Sequence, residues 1–419
     1  MTSDKPHSYT MPNTRKHAIH YGFVIIACCC LIMGVNIGLS FSCAGLFYQP
    51  VSDTLGVNVG LFGLYMSVMY IAATLTLPLA GKLLERYSAR WLFAGSSALM
   101  GLVFLAFSII NAVWQFYLAA LGLGVSVAFQ LYLSFPTLVN RWFHVKVGLM
   151  MGICTAASGI GGMLFSPLIA WLITDFGWRW AYAACGLLIL CVVSPALGIL
   201  LRSYPRDKSL EPYGAGKASA ESKGTDSAVS GIPYSKAVRM PVFYGVLVFS
   251  FLMMAVSTLN LFIPNFFLSQ SYTLEQASYA AAAVMAGVTV GKLLLGHIND
   301  RNTLAGVLLS TVGGAAGLAL LLAGFGLWAG MAGCAFFGLA YSGVTVQTAM
   351  LTRRVFGTLN YARIYSMVSI ALAAGGAVAS GGWGLLQEAS SYSFIMATGA
   401  VALIISAILG VAALRKAGK

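Results

Sequence analysis

The chain has 419 residues, of which 59% are hydrophobic and only 8% charged. So little polar side chain cannot cover a particle of this size in water, which excludes a soluble globular protein and points to the bilayer. The formal net charge of +13 would suit a nucleic-acid binder, but its placement follows membrane topology instead.

Residues 1–20 form a polar tail. Behind them, windows of about 20 apolar residues recur along the chain, each long enough to cross roughly 30 Å of hydrocarbon. Twelve spans are expected, at 21–47, 58–81, 91–110, 113–138, 147–173, 178–201, 242–268, 276–298, 304–325, 327–350, 362–385 and 392–414. The first is too long for a removable signal peptide and lacks a small-residue cleavage site, so it is expected to stay. Residues 202–241 turn polar, rich in Lys, Ser, Gly and Ala, and read as a linker. The expected organisation is an N-terminal tail (1–20), a six-helix bundle (21–201), a cytoplasmic linker (202–241), a second six-helix bundle (242–414) and a short tail (415–419). The fold class is an all-α membrane protein of twelve transmembrane helices in two pseudo-symmetric six-helix bundles.

With both termini in the cytoplasm, 22 of the 24 basic residues fall in inside segments. Arg179 falls outside, and Lys292 falls within a span at depth. That asymmetry fixes the expected orientation, in a bacterial inner membrane.

The two halves echo one another. Gly81-Lys-Leu-Leu-Glu85-Arg86 after the second span returns as Gly296-His-Ile-Asn-Asp300-Arg301 after the eighth, and Thr137, Arg141 and Phe143 return as Thr348, Arg353 and Phe356. Repeated halves joined by a linker are the plan in which a central site lies between two rocking bundles. The eight cysteines, including Cys28, Cys29 and Cys30 in a row, show no metal or redox spacing. Nor does any nucleotide loop or nucleophile elbow stand in a plausible setting. Enzymatic chemistry, a cofactor and a nucleic-acid partner are therefore not expected, and a gradient is the expected energy source.

Gly81, Glu85, Arg86 and Arg90 resemble the loop motif between the second and third helices of the major facilitator superfamily, and the twelve-span, two-half plan is similar throughout. The resemblance implies that these residues, with Asp300 and Arg301 in the second half, latch the cytoplasmic gate. Pro50-Val-Ser-Asp53, Asn140-Arg141-Trp142-Phe143, Gly177-Trp178-Arg179 and Lys292 in the eighth span further resemble the monocarboxylate transporter and oxalate-formate antiporter branch. There, a basic residue of the eighth helix binds substrate carboxylate. Arg is usual at that place; Lys exchanges a planar fork for a compact point charge.

Lys292 lies eight residues, about 12 Å of helix rise, from Asp300. All eleven acidic residues lie in tails, loops or span ends, so none is expected to neutralise Lys292 at depth. An unpaired charge there costs about 2.5 kcal/mol or more. The two readings are a lysine that snorkels to the interface and one whose partner is a bound anion. By the same resemblance Tyr132 in the fourth span orients the carboxylate, Tyr341 in the tenth closes the cavity, and Ser158 in the fifth replaces a bulkier tyrosine and enlarges it; Gln130, two residues before Tyr132 at a similar depth, offers an amide for the same orienting role. Asn36 is a further candidate. Leu372 stands where the oxalate exchanger has a second lysine, which favours a monocarboxylate. Val288 stands where animal monocarboxylate carriers place an Asp, so their proton relay does not transfer.

The implied function is secondary transport of a small organic anion such as lactate or pyruvate, by proton symport or anion exchange, in a monomeric carrier. The alternatives are an exporter of uncharged or other small compounds and a transporter-like sensor without net flux.

Overall fold

The computed structural model describes residues 20–145, 147–214, 231–357 and 359–417. Eleven of its helices are long and apolar enough to cross a membrane: α1 (Gly22–Ser42), α2 (Val59–Leu84), α3 (Ala89–Ile109), α4 (Val113–Trp142), α5 (Leu149–Phe176), α6 (Trp178–Leu200), α7 (Pro241–Leu261), α8 (Leu274–Asn299), α9 (Thr303–Leu322), α11 (Arg363–Ala389) and α12 (Tyr392–Lys416). The twelfth, α10, is a pair, Leu327–Gly343 and Val346–Phe356, bent by 41°. Leu75 and Trp328 are 75% and 81% exposed, a lipid-facing arrangement that water would not tolerate over so many helices.

Local chemistry sets the helix boundaries. Thr273 and Gln276 form a reciprocal capping box, with Oγ1 of Thr273 accepting from Gln276 N at 3.2 Å and Oε1 of Gln276 accepting from Thr273 N at 3.0 Å, which starts α8. Asn302 Oδ1 accepts from the amides of Leu304 and Ala305 and starts α9.

The first helix of each half breaks near the face away from the termini. Beyond α1 the chain turns at Cys43 and continues as a helix over Ala44–Leu55; α7 ends in a 3-10 turn, Thr258–Leu261, and continues as Ile263–Ser269. Gly56 at φ 64° closes the first of these extensions in the left-handed region that glycine enters freely. The fourth and tenth spans run on to Trp142 and Phe356, beyond the expected ends at 138 and 350, because polar residues there lower the hydropathy without ending the helices.

Three spans contain π-helical segments, Ile32–Ser42, Ala128–Leu133 and Ile189–Val193. Such segments are rare and recur at functional sites.

The halves α1–α6 and α7–α12 meet where α5 packs along α8 and α2 along α11. Glycines permit the approach. A Cβ on Gly159 would meet Thr289 and lie 2.9 Å from the Met285 carbonyl oxygen, and one on Gly384 would collide with the Gly60 backbone. Away from the termini the halves are closed. The Gly60 amide donates to Glu388 Oε1 at 3.1 Å, the hydroxyls of Ser67 and Ser380 are 2.9 Å apart, and the ring of Tyr48 meets Phe262 edge-on at 5.6 Å between centroids.

On the terminal face the described linker ends are docked. Tyr213 N donates to Trp142 O at 2.8 Å, and His144 N donates to Tyr213 O at 3.0 Å. In the second half Ile232 N donates to Phe356 O at 2.9 Å, and Arg363 stacks over the Tyr234 ring at 4.0 Å.

Candidate functional site

Lys292 lies on the part of α8 that faces α5. Its Nζ donates to the Thr155 carbonyl oxygen at 2.8 Å and to Ser158 Oγ at 3.2 Å, while Ser158 Oγ also donates to the Thr155 carbonyl at 2.8 Å. The ammonium therefore turns into the seam between the halves. An ammonium has three donors, and two are engaged by α5. Of the expected site residues, Ser158 is the one brought directly to Lys292. Thr155 was missed, and nothing in the sequence could have marked it, since it contributes a backbone carbonyl.

Asn36 and Gln130 are brought together elsewhere. Asn36 Nδ2 donates to Gln130 Oε1 at 2.6 Å and to Ser97 Oγ at 2.9 Å, with both amides fully buried. Each stands in a π-helical segment, of α1 and α4 respectively. Asn36 Oδ1 and Gln130 Nε2 have no partner among the described residues. The pair lies inside the first half, with no recorded bond to Lys292.

Tyr132 of the first half and Tyr341 of the second come close to one another. Both lie near Tyr70, and Tyr132 also lies near Tyr365. Tyr341 also lines a small pocket with Phe41, Tyr70, Ser257, Thr258, Asn260 and Leu261. Tyr70, a mid-span tyrosine of α2, was not singled out from the sequence, although its depth was a usable signal.

The expected gating residues lie on the terminal face. Arg90 donates through Nε to the Gly198 carbonyl, with its guanidinium over Trp91 at 4.8 Å. Arg86 is exposed, with its guanidinium 5.9 Å from the centroid of the Tyr87 ring, and Arg301 is exposed. A Cβ at Gly81 would meet nothing within 4 Å, so no close contact requires a glycine there. The side chains of Glu85 and Asp300 lie outside the described residues.

At the opposite face the branch-like segments meet. Trp178 Nε1 donates to Thr54 Oγ1 at 2.9 Å, and Arg179 donates to Asn111 Oδ1 at 2.7 Å while stacking on Trp178 at 4.1 Å.

Two six-helix halves around a polar seam define a polytopic membrane protein. The chain belongs to the Major Facilitator Superfamily, whose family model matches residues 30–380. Probable transporter MCH2 of Saccharomyces cerevisiae is 27% identical over 63% of this chain and 47% of its own length. The oxalate:formate antiporter of Oxalobacter formigenes is 27% identical over 38% of this chain and 37% of its own. Monocarboxylate transporter 4 of Rattus norvegicus is 26% identical over 46% of this chain and 41% of its own. The chain spans about half the length of the curated relatives it matches. Among solved structures, a bacterial homolog of the human lysosomal transporter Spinster, in an inward-facing and occupied conformation, superposes with a TM-score of 0.74 over 95% of this chain and 98% of its own, at 13% identity. That likeness is one of fold.

Proposed function

We propose that the protein carries small organic anions, with monocarboxylates of the size of lactate or pyruvate as the leading class, by alternating access between its two halves. The observation that carries this reading is the direction of Lys292. A snorkelling lysine would lead its ammonium toward the terminal face. Here the ammonium enters the seam and takes neutral acceptors, Thr155 O and Ser158 Oγ, from the other half. A carboxylate offers that ammonium a stronger, charge-assisted partner at the same place. Resemblance to an oxalate:formate antiporter and a monocarboxylate transporter supports the same substrate class.

In this reading Tyr132 and Tyr341 orient the anion, Ser158 shares the ammonium with it, and the Asn36–Gln130 pair fixes the relation of α1 to α4. Residues 21–201 and 242–414 are the two moving bodies, joined by the linker 202–241. Gly81, Glu85, Arg86, Arg90, Asp300 and Arg301 serve the gate on the terminal face. In the same reading both termini lie in the cytoplasm, which the positive-inside pattern supports.

Coupling is by proton symport or anion exchange. Proteoliposomes given labelled lactate or pyruvate with an inward proton gradient, and separately with internal unlabelled anion, distinguish the two. Stimulation by the gradient establishes symport and stimulation by internal anion alone establishes exchange. No uptake under either condition contradicts the reading.

A further inference from the structure

From the terminal face inward, α3 and α6 run antiparallel and touch along one line. The hydroxyls of Ser88 and Ser203 lie 2.9 Å apart, and Arg90 Nε donates to the Gly198 carbonyl. Ser194 Oγ donates to the Ala94 carbonyl at 2.9 Å, and a Cβ on Gly101 would lie 3.0 Å from the Gly186 carbonyl oxygen.

In an α-helix the next residue is turned by about 100°. On antiparallel neighbours that step carries both helices to the same side of their contact. One residue beyond the contact positions stand Trp91, Gly95 and Leu102 of α3 and Leu187, Pro195 and Ile199 of α6, and all six are exposed. They line one outward-facing apolar groove. It is open at Gly95, where a Cβ would meet nothing within 4 Å. From Trp91 to Leu102 the helix rises about 16 Å, which matches one leaflet of a roughly 30 Å hydrocarbon layer.

The groove is headed by two guanidiniums at the terminal end. Arg90 is held by Gly198 O and stacks on Trp91 at 4.8 Å. Arg202 Nη1 donates to Ile199 O at 2.7 Å and to Leu201 O at 2.8 Å. These acceptors are neutral carbonyls of the last turn of α6, so they fix each side chain without cancelling its charge. A guanidinium carries five donors, and these contacts use only some of them. An exposed Trp beside the arginines suits the bilayer interface. The complement of this surface has an anion at one end and a hydrocarbon chain behind it.

We propose that the α3–α6 groove binds an anionic phospholipid from the leaflet on the terminal face. Its phosphate sits between Arg90 and Arg202 in charge-assisted hydrogen bonds, and one acyl chain follows the groove. Both helices pack on helices of the first half, so this site is separate from Lys292 and independent of the substrate reading.

The test is native mass spectrometry of the full chain with palmitoyl-oleoyl phosphatidylglycerol or the phosphatidylcholine of the same chains, at equal concentration. The wild type is expected to retain the anionic lipid about tenfold more. Arg90→Gln combined with Arg202→Gln is expected to bring the two lipids level. Lys236→Gln combined with Arg239→Gln, which removes the same charge from exposed positions of the second half, is expected to keep the preference. Gly95→Trp fills the groove and leaves both arginines in place, and it is expected to lower retention of phosphatidylglycerol. Glycerophosphoglycerol, the headgroup without chains, is expected not to bind at that concentration. Equal retention of the two lipids by the wild type overturns the site, and so does equal loss of preference in the two double variants. Binding of the chain-free headgroup as strong as that of the lipid, or undiminished retention in Gly95→Trp, overturns the groove. The wild-type comparison needs no variant to fold.

Discussion

The ammonium of Lys292 on α8 stands 2.8 Å from the carbonyl oxygen of Thr155 on α5, a bond that joins the two halves of the molecule. It is made by a cation at a depth where a bare charge is costly, and its acceptor is a neutral backbone oxygen. A hydrogen bond to a charged group contributes roughly 1.5–3 kcal/mol, so this contact offsets part of that cost without cancelling the charge.

Ser158 supplies the second acceptor through a longer bond of 3.2 Å. Ser158→Ala is therefore expected to keep transport, because the Thr155 carbonyl still holds the ammonium, and to change the apparent KM by less than about tenfold. Ser158→Tyr restores the bulk expected from the resemblance and should exclude the longer anions first. Initial rates of uptake across an acid series of increasing length measure both effects.

The Asn36–Gln130 contact predicts non-additivity. Gln130→Leu leaves Asn36 Nδ2 with one acceptor fewer in a fully buried setting, a loss of about 1–3 kcal/mol in general and nearer 0.6 kcal/mol in many membrane helices. Replacing Asn36 by Leu as well removes the abandoned partner, so the double variant should be less destabilised than the sum of the singles. Thermal unfolding of the purified single and double variants followed by intrinsic fluorescence checks this. Strictly additive losses would separate the two amides energetically.

The spans and the depth of Lys292 were legible in the sequence because hydropathy reports burial in lipid directly, and the repeat was legible because Gly81 to Arg86 and Gly296 to Arg301 retain similar residues. The π-helical segments that carry Asn36 and Gln130 were not legible. A change from i→i+4 to i→i+5 bonding leaves no compositional trace, so two amides 94 positions apart could be named as candidates but not as partners. Thr155 was hidden for another reason: a carbonyl oxygen belongs to every residue, and only the register of α5 against α8 selects it. Asn260 carries a buried oxygen without a partner among the described residues in the pocket wall, a state of pairing that no sequence pattern reports.

Closure away from the termini depends on the absence of side chains at Gly60 and Gly384. A Cβ on either would collide with the other's backbone, and the Gly60 amide reaches Glu388 across the same contact. Gly384→Val is expected to hold α2 and α11 apart and to lower uptake at least tenfold. Labelling by a membrane-impermeant maleimide of a cysteine introduced at Ser52 should then increase. Glu388→Gln keeps an acceptor for the Gly60 amide and is expected to retain most of the activity. Unchanged labelling in Gly384→Val would place the closure elsewhere.

Arg90 and Arg86 should behave differently although both belong to the loop motif. Arg90 is bound to the Gly198 carbonyl and stacked on Trp91, so Arg90→Ala should lower thermal stability together with uptake. Arg86 is exposed, and Arg86→Ala should lower uptake with little change in stability. Parallel melting curves and uptake rates separate these outcomes.

The central claim is that Lys292 holds the transported carboxylate, and the most direct measurement is uptake of labelled lactate and pyruvate by proteoliposomes containing wild-type protein, Lys292→Ala or Lys292→Arg. The account predicts uptake by the wild type, loss to background in Lys292→Ala and substantial retention in Lys292→Arg, which keeps the charge. Equal uptake by the wild type and Lys292→Ala would contradict it.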